Sequence, residues 1–121
     1  MPFSITETAL PGVLIVEPTV LIDHRGSFME TYRKSEFIAA GLAVDFVQEN
    51  LSRSVRGTVR GLHFQRPPKA QAKLTRVIAG EVFDVAADVR PDSLTYGKWV
   101  GVRLSSDNRK SLFIPAGYAH G

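Results

Sequence analysis

The stretch AKLTRVIAGEVFDVAADVR, residues 72–90, decides the fold class. It contains two short runs rich in Val, Ile, Leu and Phe, and Gly80-Glu81 separates them with the residue types of a tight bend. The stretch therefore predicts two consecutive β-strands.

The same alternation of short apolar runs and turns extends along the chain. The other runs are GVLIVEPTVLID, FMETYR, DFVQENLSRS, GTVRGLHFQ, GKWVGVRLS and KSLFIPAG, and the turns between them are DHRG, RPPKAQ, RPDSLTYG and SSDNRK. One short helix is predicted at residues 35–40, with Ser35 as its N-cap and Gly41 as its C-terminal stop. Many short strands with Gly- and Pro-rich turns predict an all-β sandwich or barrel.

The composition is that of one globular domain, spanning residues 1–121. Hydrophobic residues make up 44% and charged residues 22%, and no apolar run approaches the length of a membrane span. The N-terminus lacks the basic and apolar regions of a signal peptide, so we expect a cytoplasmic protein without membrane partners. The absence of cysteine excludes disulfides and thiolate metal sites.

The charge pattern favours a small anionic ligand over a nucleic acid. The net charge is +3, and the basic residues are scattered instead of forming the stripe expected for nucleic-acid binding. Ten of the fifteen basic residues are arginine. The arginine side chain suits bidentate recognition of phosphate or carboxylate.

The segment VRGLHFQRPP, residues 59–68, places two functional side chains in a predicted core strand. Strict alternation would put Arg60 and His63 on opposite faces, but a bulge at Gly61 could turn both toward one cavity. There they would suit anion binding and proton transfer. The alternative is a surface arginine and a hydrogen-bonded core histidine. The apolar residues predicted to be buried beside them are Val59, Leu62 and Phe64.

Other polar residues lie in strand-forming stretches. Lys73 is either a functional cation or a solvated strand-end lysine, and Asp84 is either a buried carboxylate with a partner or an outward-facing residue. Arg25 could simply be a turn residue. The remaining candidates of this kind are Glu30, Gln48, Glu49 and Asn50.

The segment PAGYAH, residues 115–120, has the pattern Pro-x-Gly-x-x-His. It resembles the second half of the signature of the cupins, which are double-stranded β-helix or jelly-roll barrels. In that signature a turn brings the histidine, here His120, into the barrel mouth. Metal-binding cupins usually add a His-x-His pair, where this chain has His63-Phe64-Gln65. Two histidines without an obvious third ligand make a poor transition-metal site, so we expect no metal.

The available side chains favour chemistry without an organic cofactor. The sequence has no phosphate-binding Gly-rich loop, no Gly-x-Ser-x-Gly elbow and no dinucleotide fingerprint. Histidine, lysine and arginine in a barrel suit proton abstraction beside a carbonyl. The histidine takes the proton, and a cation stabilises the enolate oxygen.

Taken together, these segments resemble the dTDP-4-dehydrorhamnose 3,5-epimerase family. DHRGSFMETY, FVQEN, VRGLHFQ, KLTRVIAGEVFDVAADVR, GKWVGVRLS and FIPAGYAHG occur in the family's order and close to its spacing, from about Pro11 to Gly121. The resemblance implies a cupin-fold epimerase that inverts C3 and C5 of dTDP-4-dehydro-6-deoxy-D-glucose. The product, dTDP-4-dehydro-L-rhamnose, belongs to dTDP-L-rhamnose biosynthesis.

The resemblance also implies roles for individual residues. It matches His63 to the catalytic base, Lys73 to the residue that stabilises the enolate, and His120 to the sugar pocket. It implies a homodimer with exchanged N-terminal strands and neither metal nor cofactor. The remaining matches are diphosphate contacts at Arg25 and Arg60 and positions around the nucleotide at Glu30, Gln48, Glu49 and Asn50.

Family members continue past the segment AHG, so we expect a chain truncated before the final barrel strands. The resemblance places the donor tyrosine and the aspartate partner of the catalytic histidine in that further stretch, and neither Tyr96 nor Tyr118 matches the donor's position. We therefore expect this chain alone to be impaired or inactive. Two alternatives remain open, an epimerase that inverts one centre of a related dTDP-4-keto-6-deoxy sugar and a non-catalytic fragment that binds nucleotide sugars.

Overall fold

A computed structural model describes residues 3–121, so Met1 and Pro2 of the predicted domain lie outside this range. Ten elements occur within it. In chain order they are β1 (Phe3–Glu7), β2 (Leu14–Pro18), β3 (Val20–Asp23), β4 (Gly26–Met29), α1 (Lys34–Ala39), β5 (Lys73–Arg76), β6 (Glu81–Asp88), β7 (Trp99–Ser105), β8 (Ser111–Ile114) and β9 (Tyr118–His120). The predicted all-β class is confirmed. No helix in the described range is long and apolar enough to cross a membrane.

Two antiparallel sheets and one hairpin make up the fold. The first sheet has the strand order β1-β2-β8-β5 and the second has the order β7-β6-β9, and among residues 3–121 β3 pairs only with β4. The bend at Gly80, where φ is +87°, carries the chain from β5 in the first sheet to β6 in the second. The predicted bend is therefore confirmed, and it joins strands of different sheets.

The main core is formed by side chains from both sheets. On β6 the buried residues are Asp84, Ala86 and Asp88, which alternate with more exposed neighbours as expected when one face of a strand is covered. This core cluster consists of Leu10, Val13, Ala86, Leu104, Leu112, Ile114 and Tyr118.

Helix α1 covers a second cluster on the first sheet. Its Phe37 is almost fully buried and makes edge-to-face contacts with the rings of Phe3 and Tyr32. The predicted cap at Ser35 is wrong, because the helix begins at Lys34 and the residue at the N-cap position, Arg33, makes no side-chain cap bond. The predicted stop is confirmed, since Gly41 follows the helix with φ of +88°.

The predicted strands within residues 45–65 are wrong. The runs DFVQENLSRS and GTVRGLHFQ form no strand, and their only ladder contact among residues 3–121 is an isolated bridge at His63. A strand needs a neighbouring backbone along its length, and apart from that bridge no described segment pairs with these runs. The apolar residues predicted to be buried there are exposed: Val59 at 91%, Leu62 at 50% and Phe64 at 49%.

Candidate functional site

One pocket brings together three of the residues predicted to act in the site. His63, Lys73 and His120 all contribute to its wall. Lys73 begins β5, as the sequence predicted, and His120 ends β9. The pocket therefore combines the ammonium group of Lys73 and the imidazole of His120, which lie at the ends of strands from the two sheets, with the imidazole of His63, which lies outside any strand. Its other lining residues are Phe64, Gln65, Gln71, Ile114, Gly117 and Tyr118.

His63 reaches this pocket because its backbone pairs with His120. Each backbone N–H of the two residues donates to the carbonyl of the other, and both distances are 2.9 Å. Gly61 permits this approach, since its φ is +115° and a Cβ added there would lie 2.7 Å from the Cα of Gly121. Only glycine fits such a position without displacing backbone.

His120 is held by a buried carboxylate. Its Nε2 lies 2.6 Å from Oδ1 of Asp84, which projects from β6 and is only 4% exposed. The register of β6 and β9, with Ala86 opposite His120, brings the two side chains together. The structure thus selects the buried alternative for Asp84. It also leaves Oδ2 of that carboxylate without a hydrogen-bond partner among the described residues.

Asp84 is the site residue that the sequence reasoning left unassigned. The sequence does mark this position, because Asp84 is an acidic residue within an apolar strand and lies on the same face as Ala86. The partner could not be read from the sequence, since it depends on the register between β6 and β9.

Arg60 does not line the pocket. Its side chain is exposed, and its Nε donates to Oγ of Ser54 at 2.9 Å. The structure therefore does not place Arg60 and His63 at one cavity, as the hypothesis of a bulge at Gly61 required.

Arg25 and Glu30 also lie away from the pocket. Arg25 occupies the turn between β3 and β4, where it forms an exposed ion pair with Asp23 at 2.6 Å. Hydrogen bonds from Arg25 lower the pKa of Asp23, and the same side-chain bond raises the pKa of Arg25. Glu30 accepts a hydrogen bond of 2.6 Å from Nε of Arg33.

The other candidates form an exposed polar segment. Gln48 donates from Nε2 to Oδ1 of Asn50 at 3.3 Å, and Glu49 lies between them. None of the three lines the pocket. Within the part of the chain that the structure describes, no group of three or more His, Cys, Asp or Glu side chains is placed to hold a metal ion.

A second buried carboxylate, Asp88, organises the loop after β6. Its Oδ1 accepts hydrogen bonds from the backbone N–H and Nε of Arg90, and its Oδ2 accepts one from Nη2, each at 3.0 Å. The hydroxyls of Ser93 and Thr95 also donate to Oδ2. Arg90 is the main reason that the pKa of Asp88 lies far below its usual range.

Tyr118 connects this network to β9. Its hydroxyl donates to the carbonyl of Pro11 at 2.5 Å and accepts a hydrogen bond of 2.9 Å from Nη2 of Arg90. Burial raises the pKa of Tyr118 above its ordinary value. Because Tyr118 and His120 belong to the same three-residue strand, the network fixes the strand that carries the pocket histidine.

Comparison with known proteins shows a consistent likeness. Residues 7–121 match the family described as dTDP-4-dehydrorhamnose 3,5-epimerase. The chain is 58% identical over 119 residues to the enzyme of that name from Methanothermobacter thermautotrophicus, covering 98% of this chain and 64% of the relative. It thus spans somewhat less than two thirds of that relative's length.

Two solved structures are similar over almost the whole chain. The Bacillus anthracis dTDP-4-dehydrorhamnose 3,5-epimerase, with TDP and PPi bound, has a TM-score of 0.94 and 43% identity, covering 98% of this chain and 68% of that one. The Legionella pneumophila 3,5-epimerase in complex with dTDP-4-keto-L-rhamnose has a TM-score of 0.92 and 44% identity, covering 98% and 63%. The predicted cupin-type fold is confirmed.

Proposed function

Because the chain belongs to the dTDP-4-dehydrorhamnose 3,5-epimerase family, we propose that its pocket carries the proton-abstracting part of such an epimerase. The proposed substrate is dTDP-4-dehydro-6-deoxy-D-glucose, inverted at C3 and C5 to give dTDP-4-dehydro-L-rhamnose for dTDP-L-rhamnose biosynthesis. The observation that carries the proposal is the meeting of His63, Lys73 and His120 at one pocket.

The pocket residues divide the chemistry between them. His63 takes a proton from the carbon beside the C4 ketone, and the electrons of the broken C–H bond move into the carbonyl to give an enolate. Histidine suits this step because its charge changes near neutral pH. The ammonium group of Lys73 stabilises the negative charge that develops on the ketone oxygen. Inversion then needs a proton delivered to the opposite face of the carbon by a separate acid, the role that the resemblance gives to a tyrosine beyond the segment AHG. The abstraction step proposed for this pocket uses neither metal nor cofactor.

The nucleotide part of the substrate would be bound outside the pocket. We propose that Arg25 and Arg60 contact the diphosphate. Both are exposed and have only exposed partners, so a phosphate can replace those contacts at little energetic cost. The positions proposed around the nucleotide are Glu30, Gln48, Glu49 and Asn50.

We also propose that the chain forms a homodimer through its N-terminal part. The hairpin of β3 and β4 exposes Leu21 at 63%, Ile22 at 72% and Phe28 at 70%, and within the described residues it joins neither sheet. An apolar hairpin of this kind is a typical strand-exchange or interface element. Strand β1 pairs with β2 of its own chain, so the proposed exchanged element is the β3–β4 hairpin.

Light scattering of the purified chain tests the dimer. The expected result is a dimer mass that falls to the monomer mass in Phe28→Glu and is unchanged in Leu94→Glu, a matched change at an exposed apolar loop residue. A monomeric wild-type chain would contradict the dimer proposal.

Deuterium exchange tests the chemistry directly. The 121-residue chain is incubated with the nucleotide sugar in heavy water, and NMR follows the C3 and C5 protons. We expect exchange above the buffer rate, reduced about 10²–10⁴-fold in His63→Ala, the usual contribution of a general base. The matched control is His24→Ala, which changes an exposed histidine in the β3–β4 turn.

The outcome also separates the alternatives. Exchange at one carbon alone would identify a single-centre epimerase. Binding of the nucleotide sugar without exchange would identify a non-catalytic binding protein. Exchange that persists in His63→Ala would remove the assignment of His63 as the base.

A further inference from the structure

We propose that Asp84 is a positioning residue that fixes the tautomer of His120, so that Nδ1 of this histidine accepts a hydrogen bond from a hydroxyl group of the sugar. The identity of the sugar rests on the proposed function. The pairing of the two side chains does not, because it is present in the chain without any ligand.

The geometry allows one assignment of the ring proton. An ionised carboxylate can only accept hydrogen bonds, and Oδ1 of Asp84 lies 2.6 Å from Nε2 of His120. The proton therefore belongs on Nε2. In the neutral imidazole Nδ1 then carries the lone pair, and it is the one ring nitrogen left for a ligand.

Asp84 has fewer hydrogen bonds than expected for a buried carboxylate that only stabilises the fold. Its Oδ2 is buried and has no hydrogen-bond partner among residues 3–121. Leaving a buried acceptor unpaired is unfavourable, because the oxygen loses its hydrogen bonds to water and gains none in the protein. A buried polar atom without a partner calls for an explanation, and a role in orienting a neighbouring group that binds a ligand is one.

The rest of the pocket explains why an accepting nitrogen is useful. The ammonium group of Lys73 can only donate hydrogen bonds, and His63 is proposed to react with a C–H bond. A sugar hydroxyl needs an acceptor for its proton, and Nδ1 of His120 provides one. Without Asp84, the ring could place its proton on Nδ1 and would then present a donor to the same hydroxyl.

Nitrogen-15 NMR of the imidazole rings tests the tautomer without any substrate. The chain has three histidines, so the resonances can be assigned by replacing His24 and His63 one at a time. At a pH where the rings are neutral, we expect His120 to carry its proton on Nε2. In Asp84→Asn the side-chain amide can donate to Nε2, and we expect the proton to move to Nδ1.

A matched control and a clear contrary result accompany this measurement. Asp107→Asn removes an exposed carboxylate and should leave the His120 signals unchanged. A wild-type His120 protonated on Nδ1, or the same tautomer in Asp84→Asn, would overturn the proposal. If Asp84→Asn does not fold, a wild-type His120 that carries its proton on Nδ1 still overturns the proposal.

Calorimetry tests the consequence for the ligand, with dTDP and dTDP-glucose as probes. We expect Asp84→Asn to leave the affinity for dTDP within about twofold and to reduce the advantage of dTDP-glucose over dTDP by about tenfold. An equal loss for both probes would overturn the hydroxyl contact. Failure of the wild-type chain to bind either probe would count against the proposed function, and the NMR result would still support or overturn the pairing of Asp84 with His120.

Discussion

Asp84 and Asp88 lie on the same buried face of β6, two residues before and two residues after Ala86. They nevertheless have very different surroundings. Asp88 accepts hydrogen bonds from a guanidinium group, a backbone N–H and two hydroxyls. Asp84 has one partner, the ring of His120, and one oxygen with none in the described range. The same residue type in the same strand thus meets two different physical requirements.

The difference follows from what β6 packs against at each of the two positions. At the Asp88 end, the loop that contains Arg90, Ser93 and Thr95 turns back and supplies donors from residues close in sequence. At Asp84, in the middle of the strand, the neighbour is the pocket histidine His120, which is 36 positions away in sequence. A fully satisfied buried carboxylate stabilises a fold, whereas a partly satisfied one beside a pocket orients a group that binds a ligand.

The largest expected effect is loss of stability when the Asp88 network is broken. In Asp88→Asn the amide nitrogen cannot accept from the two hydroxyls, and the charge partner of Arg90 is lost. We expect the free energy of unfolding to fall by about 3 kcal/mol. Urea denaturation measures this change, with Asp107→Asn as a surface control. A loss below about 1 kcal/mol, within the range of one ordinary hydrogen bond, would show that the network is not a major source of stability.

Acidification should remove the same contribution without a mutation. The pKa of Asp88 is lower in the folded protein than the ordinary value of about 3.9, so the unfolded chain takes up the proton first. The stabilisation is therefore complete above about pH 5 and is lost as the pH falls through the unfolded and then the folded pKa. We expect the stability difference between wild type and Asp88→Asn to shrink from pH 6 to pH 3, measured by urea denaturation at each pH. A constant difference would contradict the role of the ionised carboxylate.

An intermediate effect is expected where the network reaches β9. Tyr118→Phe removes the bond to the carbonyl of Pro11 and the acceptor for Arg90, and Arg90 is exposed enough for water to replace its lost contact. We expect a loss of about 1–2 kcal/mol in the free energy of unfolding. The His120 tautomer should not change, because Asp84 remains in place. A changed tautomer would show that the surroundings of Asp84 and Asp88 are not independent.

The sequence was informative wherever the structure depends on local pattern. Alternation and turn residues identified the strands on either side of Gly80, and the same reasoning placed the helix within one residue of its start. It failed for residues 45–65, because an apolar run becomes a strand only if another backbone pairs with it. Pairing is a property of the tertiary structure, and no local pattern reports it.

The candidate site shows the same limit. The cupin-like pattern ending at His120 and the position of Lys73 at the start of a strand led to two residues that do line the pocket. The alternation of polar and apolar residues could not predict the pairing of Asp84 with His120. These residues are 36 positions apart in sequence, and the register between β6 and β9 brings them together. Nor could the alternation place Arg60, whose partner Ser54 lies in a segment without regular structure.

The smallest expected effect on stability belongs to Asp84, and it separates the two carboxylates most sharply. In Asp84→Asn the amide has nearly the same shape, Oδ2 has no described partner to lose, and removal of a buried charge offsets the weaker bond to His120. We expect the free energy of unfolding to change by less than about 1 kcal/mol, while the tautomer of His120 changes. Urea denaturation beside Asp88→Asn provides the direct comparison. A loss as large as that of Asp88→Asn would mean that both carboxylates serve stability, and the distinction between them would fail.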